Sequence, residues 1–183
     1  MAAVYWAADV TPYPAATLLD GRRGSAYAAP MPPADDRGAI AALVHAYAER
    51  IDAGDLDGVA ALLREAVWRS PVRPDGVQGL AAIRALYADV ILYEGTPCTQ
   101  HAVSNLTIEL DGDAAHARSR FTVLQARPDF PLQPIAAGRY HDGFVRKGGV
   151  WRFAERTVLL DLVGDLSRHL SRPLGRVPAL TPP

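Results

Sequence analysis

The second half of the chain alternates between apolar and polar residues over four long segments, and this pattern most constrains its fold. The segments run from about Thr99 to Leu110, Ala114 to Ala126, Ile135 to Arg146 and Val150 to Val163. Alternation with a period of two is typical of β-strands that bury one face. Turn signals lie between the first and second segments and between the third and fourth. A proline-containing loop over residues 127–134 lies between the second and third. We therefore predict an antiparallel meander.

The preceding part of the chain has helical periodicity. Apolar residues recur at helical spacing from about Asp36 to Ala53, and Gly54 is a stop signal. A short second helix, a short strand at residues 67–70 and a third helix at residues 79–93 are predicted next. Helices that precede a run of strands favour the α+β class. We predict three helices packed on a strongly curved antiparallel sheet that encloses an apolar pocket, because a curled sheet leaves a hollow under the helices.

Composition limits the kinds of partner. The 183 residues carry a formal net charge of -1, and no basic cluster favours nucleic acid or an anionic membrane. No stretch approaches ~20 apolar residues, so we expect no membrane span. The single cysteine, Cys98, excludes an internal disulfide and a cysteine-rich zinc site. We expect a cytoplasmic protein without a metal.

Three regions are predicted along the chain. Residues 1–35 are rich in alanine and proline and have no clear period, so we expect an N-terminal arm. This arm is either disordered or packed through its aromatic residues on the domain or a neighbouring subunit. Residues 36–170 form the folded domain, and residues 171–183 form a C-terminal tail. An uncovered convex sheet face would favour a homo-oligomer, with a dimer expected first and a trimer second.

A set of motifs resembles the SnoaL-like branch of the nuclear transport factor 2 superfamily. Their order and spacing agree over about residues 36–170. The resemblance implies a cone-shaped α+β domain, but the superfamily includes dehydratases, isomerases, cyclases, epoxide hydrolases and proteins without catalysis. The motifs are Tyr47 followed by Asp52-Ala53-Gly54-Asp55, then Trp68, His101-Ala102-Val103-Ser104-Asn105, Gly138-Arg139-Tyr140-His141-Asp142 and Trp151-Arg152-Phe153-Ala154-Glu155-Arg156.

The resemblance to members with an Asp–His pair implies catalytic roles for His101, Asp52 and Tyr47. A neutral imidazole removes protons near neutral pH, because its unperturbed pKa is ~6.5. A carboxylate on the other ring nitrogen fixes the tautomer and stabilises the imidazolium. The phenol of Tyr47 could donate a hydrogen bond to a leaving hydroxyl or a carbonyl oxygen. Such a site needs no cofactor.

Six further residues are candidates for substrate binding. The resemblance implies that Trp68 and Arg156 line the pocket, where Arg156 could hold a developing enolate. Asp142 is either a second pocket acid or the partner of an arginine on a neighbouring strand. The other candidates are Cys98, Asn105 and Tyr140.

The strand that carries His101 contains a conflict. In a regular strand, His101 shares one face with Val103 and Asn105, whereas Leu106 and Ile108 make the opposite face more apolar. For His101 to face the pocket, the more polar face must be concave near its start, or a β-bulge must switch the faces. Otherwise His101 is a structural residue.

Three functions follow as hypotheses. The first is a cofactor-independent lyase or isomerase that acts on a hydrophobic polyketide-, terpenoid- or steroid-like molecule. The second is a non-catalytic binding or scaffold protein. The third is an epoxide hydrolase or cyclase, in which pocket carboxylates such as Asp142 replace His101.

Overall fold

The computed structural model describes residues 35–173, which form three helices and one curved six-stranded sheet. The α+β class predicted from the sequence is confirmed. Residues 1–34 and 174–183, which include nearly all of the predicted arm and tail, lie outside the described residues. The elements are α1 (Asp36–Asp52), α2 (Leu56–Leu62), β1 (Val67–Ser70), β2 (Arg73–Gln78), α3 (Leu80–Ala85), β3 (Thr99–Asp111), β4 (Ala114–Arg127), β5 (Phe130–Lys147) and β6 (Val150–Val163).

The sheet has the strand order β2-β1-β6-β5-β4-β3. The meander from β3 to β6 is antiparallel, as predicted. The whole sheet is not antiparallel as predicted, however, because β1 runs parallel to β6. The chain also continues past Ser70 into β2, an edge strand that tolerates Pro74 because one side of its backbone needs no partner.

Two other predicted boundaries are corrected. The expected loop over residues 127–134 is only a tight turn, since Arg127 already pairs with Phe130. Helix α3 ends at Ala85 instead of continuing to residue 93. Turns with i to i−3 hydrogen bonds follow it, and they keep Tyr87 and Val90 on the core side, which is why the apolar spacing resembled a longer helix.

The core lies between the helices and the concave face of the sheet. Helix α1 contributes a buried stripe that includes Ile40, Val44 and Tyr47, and it packs against β3 and β6. Its first residue, Asp36, accepts hydrogen bonds from Trp151 on β6 and Arg146 on β5. These bonds fix the start of α1 on the sheet, so its last turn is held beside the start of β3.

A β-bulge in β3 resolves the conflict seen in the sequence. Ser104 pairs with Arg120 and Thr107 with Arg118, so three steps along β3 oppose two along β4. Asn105, in this bulge, has a left-handed φ of 52°. The extra residue switches the faces, and His101 before it and Leu106 after it both turn inward.

None of the helices within residues 35–173 has the length and apolarity needed to cross a lipid bilayer.

The bulge predicts different outcomes for two substitutions at the exposed residue Asn105. We expect Asn105→Val to lower the free energy of unfolding by about 1–2 kcal/mol, because a β-branched side chain clashes with the backbone in the left-handed conformation. Asn105→Gly is the matched control and should preserve stability, because glycine adopts this φ freely. Urea denaturation measures both, and an equal loss in the two variants would contradict the role given to the bulge.

Candidate active site

The end of α1 brings Asp52 to the start of β3. Two residues after Asp52, Gly54 has a φ of 75°, and a Cβ atom there would overlap the carbonyl oxygen of Gly95. Glycine is therefore required for the chain to turn this closely past Gly95. Asp55 caps α2 by accepting from the backbone N–H of Gly58, so Asp52 is not needed as a cap.

Asp52 and His101 form a hydrogen-bonded pair. His101 Nδ1 lies 2.6 Å from Asp52 Oδ1, and the backbone N–H of His101 donates to Oδ2, also at 2.6 Å. The hydroxyl of Thr99 donates to Oδ1 at 2.8 Å. The side chains of His101 and Asp52 are 6% and 20% exposed, so the pair is largely shielded from water. Three donors thus hold one carboxylate on the inner side of β3.

This network sets the tautomer of His101 and the charge of Asp52. Burial alone raises the pKa of Asp52, but the hydrogen bonds and charge of His101, together with the bond from Thr99, lower it below the ordinary value. The carboxyl is therefore ionised at neutral pH and accepts the Nδ1–H of His101. In the neutral form of His101, the proton is therefore on Nδ1 and the lone pair is on Nε2.

The cavity next to His101 has a volume of about 410 Å³. Most of its wall is apolar, and the polar groups are few, as is usual for small-molecule sites. Of the predicted site residues, the structure brings His101, Tyr47, Trp68 and Tyr140 into this wall. The described residues that line it are Tyr47, Trp68, Ser70, Pro71, Val72, Leu86, His101, Phe121, Val123, Ala136, Tyr140, Val158, Leu160, Leu166, His169 and Leu170.

Two buried tyrosines form the aromatic side of the cavity. Tyr140 stacks on Phe121 with ring centroids 4.3 Å apart and meets Tyr47 edge-on at 5.7 Å. The hydroxyl of Tyr47 lies 3.1 Å from that of Tyr87, which is a hydrogen bond between two phenols. Burial raises the pKa of Tyr47 and raises that of Tyr140 well above its ordinary value. Both phenols are therefore neutral hydrogen-bond donors.

Arg156 and Asp142 do not line the cavity, so Arg156 is not the pocket residue that was expected, and Asp142 is instead the partner of an arginine on a neighbouring strand. Their side chains are 0% and 1% exposed and form a bidentate pair, with both N–O distances 2.8 Å. The guanidinium carbon lies 4.0 Å from the ring centre of Tyr47 and 4.2 Å from that of Tyr140. Burial disfavours the charge, but Asp142 raises the pKa of Arg156 above its ordinary value. The pair supports the two tyrosines from behind.

Cys98 and Asn105 also lie outside the cavity lining. Cys98 adopts a left-handed φ of 54° just before β3, and its sulfur faces the hydroxyl of Thr96 at 3.8 Å. Asn105 is exposed, because the bulge turns its side chain away from the core. A regular strand would place Asn105 on the same face as His101. The bulge puts the two side chains on opposite faces.

Two polar lining residues, Ser70 and His169, were not predicted from the sequence. Three buried polar atoms in the cavity wall have no hydrogen-bond partner among residues 35–173: Trp68 Nε1, Ser70 Oγ and His169 Nδ1. Ser70 lies two residues after Trp68 on β1, so a shared strand face was a usable signal. His169 follows the last strand, and its spacing carried no signal.

Within the described residues, no three His, Cys, Asp or Glu side chains are close enough together to hold a metal ion.

Comparisons with known proteins agree with this architecture. Residues 32–157 match the sequence model of the SnoaL-like domain. No curated protein matches the chain. Among solved structures, the chain is similar to an NTF2-like protein with a cystatin-like fold from Novosphingobium aromaticivorans, at 22% identity and a TM-score of 0.57, over 68% of this chain and 81% of the other.

Two further structures are similar at comparable levels. A putative scytalone dehydratase from Novosphingobium aromaticivorans is 22% identical with a TM-score of 0.57, over 77% of this chain and 94% of the other. A singly substituted form of Rv3472, a protein of unknown function from Mycobacterium tuberculosis, is 27% identical with a TM-score of 0.55, over 68% of this chain and 76% of the other. Since the family model spans most of the folded domain, the chain belongs to the SnoaL-like family.

Proposed function

We propose that the chain is a cofactor-independent lyase or isomerase that removes a proton next to a carbonyl group of a largely apolar cyclic molecule. The observation that supports this most is the Asp52–His101 pair at the wall of an apolar cavity. A base oriented by a carboxylate in a shielded site is the arrangement that general-base catalysis requires.

The proposed reaction begins at Nε2 of His101. Nε2 takes a proton from the carbon beside the carbonyl, and the C–H electron pair moves into a new C–C double bond as the carbonyl becomes an enolate. Asp52 stabilises the imidazolium without taking its proton. In an elimination, the C–O bond at the next carbon breaks, and the imidazolium returns the proton to the departing hydroxyl. The products are water and an unsaturated ketone, and His101 is neutral again.

The cavity favours a ring system of two or three fused rings. Its volume of about 410 Å³ lies in the range of small-molecule pockets, and the walls combine flat aromatic rings with aliphatic side chains. Phe121 and Tyr140 offer aromatic surfaces, and Val158 and Leu160 offer the aliphatic part. Planar apolar rings bury the most area against such walls.

The positions of Trp68 and Ser70 favour a substrate that carries a second oxygen. Both residues are on β1, which is separated from β3 and His101 by three strands of the sheet. A buried polar group without a partner costs about 1–3 kcal/mol, and a ligand oxygen at this end would remove that cost once the Ser70 side chain rotates toward the cavity that it lines. The proposed substrate therefore carries its reacting ketone near His101 and a hydroxyl or carbonyl near β1.

The names of structural relatives support elimination as the first reaction to test. One of them is named a putative scytalone dehydratase, and a dehydratase removes water. A carboxylate-based epoxide hydrolase is less favoured, because no Asp or Glu is among the described residues that line the cavity. Asp142, the candidate acid for that reaction, is paired with Arg156 behind the tyrosines.

Loss of the base should abolish turnover. We expect His101→Ala to lower the rate of water loss from a cyclic β-hydroxy ketone roughly 10²–10⁴-fold. A suitable probe is 3-hydroxy-1-tetralone, because loss of water yields fluorescent 1-naphthol. His45→Ala, at an exposed position of α1, is the matched control and should keep the full rate. Wild-type activity in His101→Ala would remove the assigned base.

Asp52→Asn should weaken both activity and stability, and the stability loss should depend on pH. The pKa of Asp52 is lowered in the folded state, so its carboxylate stabilises the fold above its unfolded pKa, and this stabilisation is lost as pH falls through the folded pKa. We expect Asp52→Asn to lose about 1.5–3 kcal/mol at pH 7. The difference in melting temperature between wild type and variant should therefore shrink as pH falls below 3.8, the ordinary pKa of this carboxyl, and a constant gap would contradict an ionised Asp52.

Ser70→Ala should remove the preference for a second oxygen. An added ring hydroxyl, as in 3,6-dihydroxy-1-tetralone, should bind the wild type roughly 5- to 10-fold better than the monohydroxy ketone, as expected for one hydrogen bond. In Ser70→Ala the two probes should bind alike, while the monohydroxy ketone keeps its wild-type affinity. Calorimetric titration measures all four values, and an undiminished preference in Ser70→Ala would reject this subsite.

A further inference from the structure

His169 lies on the segment that follows β6 and is held by backbone hydrogen bonds. Its carbonyl oxygen accepts from the N–H of Ile91 at 2.9 Å, and its own N–H donates to Leu166 at 2.9 Å. The next residue, Leu170, forms an isolated bridge with Val90. Gln125 on β4 reaches the same segment by donating to the carbonyl of Arg168 at 3.0 Å. The position of His169 is therefore fixed by the backbone from both sides.

The side chain of His169 belongs to the same cavity wall as His101. Its Nδ1 is buried and has no hydrogen-bond partner among residues 35–173. Because protein atoms enclose Nδ1, a molecule in the cavity can contact only Nε2, which is not enclosed and likewise has no hydrogen-bond partner among the described residues. The position and the missing partner together point to a ligand contact.

The imidazole of His169 is uncharged at neutral pH. Burial, followed by the charge that His101 can carry, lowers the pKa of His169 to about 4, and Asp52 opposes this effect only weakly. Besides His101, the other titratable groups in the cavity wall are Tyr47 and Tyr140, and both are neutral phenols at neutral pH. A neutral imidazole has one N–H donor and one acceptor nitrogen, so it can donate a hydrogen bond without adding a charge.

We propose that His169 is a second catalytic residue, whose neutral imidazole donates a hydrogen bond to the carbonyl oxygen of the substrate while His101 removes the neighbouring proton. The inference rests on the proposed function and adds to it the group that stabilises the enolate. A donor placed where negative charge develops gives a large share of the rate in reactions of this kind.

The proton balance of the step assigns different tasks to the two imidazoles. His101 gains the proton from carbon, and the C–H electrons move through the new C–C double bond to the oxygen. His169 keeps its own proton and only shares it with that oxygen. Since His101 becomes an imidazolium, a second imidazolium beside it would oppose the step, whereas a neutral His169 does not.

The test uses 1-tetralone labelled with ¹³C at its carbonyl, which can enolise but has no hydroxyl to lose. Two measurements are made by NMR on the full chain: the carbonyl shift of the bound ketone, and the exchange of its α-hydrogens for deuterium in D₂O. The variants are His169→Phe, which removes the donor, and His169→Gln, which keeps an N–H donor. His116→Phe on an exposed position of β4 is the matched control, and thermal unfolding verifies that each variant is folded.

We expect the wild type to move the carbonyl resonance downfield and to catalyse exchange. His169→Phe should lose the downfield shift and exchange roughly 100-fold more slowly, because one enolate donor is removed. His169→Gln should recover part of both effects, and His116→Phe should match the wild type.

The outcomes separate this inference from the proposed function. Exchange and carbonyl shift at wild-type levels in His169→Phe would overturn the role of His169 and leave His101 as the base. A His169-dependent shift without any exchange would support the donor and overturn proton abstraction. Exchange by the wild type no faster than by His101→Ala, with no carbonyl shift, would overturn both.

Discussion

A single extra residue in β3 decides what this fold can hold. Without the bulge at Asn105, the strand could turn only one pair of side chains inward. That pair would be either His101 and Val103 or Leu106 and Ile108. With it, the first part of the strand presents an imidazole to the cavity and the second part presents apolar side chains to the core. The bulge therefore allows one strand to serve a polar site and a dry core, and the left-handed φ of Asn105 is the local condition for it.

The Asp52–His101 pair depends on two separate constraints on the backbone. Asp36 anchors the first turn of α1 to β5 and β6, and Gly54 lets the chain leave the last turn against Gly95. Between them, the length of the helix sets where Asp52 meets the start of β3. The backbone N–H of His101 and the hydroxyl of Thr99 then hold the carboxylate even before the imidazole is considered. An orientation built from backbone contacts costs little reorganisation during a reaction.

The sequence predicted the elements with a long, regular period and failed where contacts across the fold decide. Helix α1 and the β3–β6 meander follow from spacing alone, because each buries one continuous face. The pairing of Asp52 with His101 came from a family resemblance, since spacing left His101 on the more polar face. The burial of Arg156 with Asp142 depends on the register of β5 against β6, where these residues are direct neighbours. His169 enters the cavity wall only because its segment is hydrogen-bonded to residues far away in the chain, so no local pattern marked it.

The placement of charge around the cavity supports the proposed abstraction of a proton from carbon. Arg156 is the one buried guanidinium among the described residues, and Asp142 neutralises its charge. The rings of Tyr47 and Tyr140, which are neutral phenols, cover it. Asp52 is the nearest negative charge to the imidazole, and it lies on the side of His101 away from Nε2. A positive charge that forms on His101 is thus compensated from behind, while a negative charge that forms on the substrate meets neutral hydrogen-bond donors. Charges separated in this way in a low-dielectric site are stabilised by fixed groups rather than by mobile water, which is the condition that the proposed enolate intermediate requires.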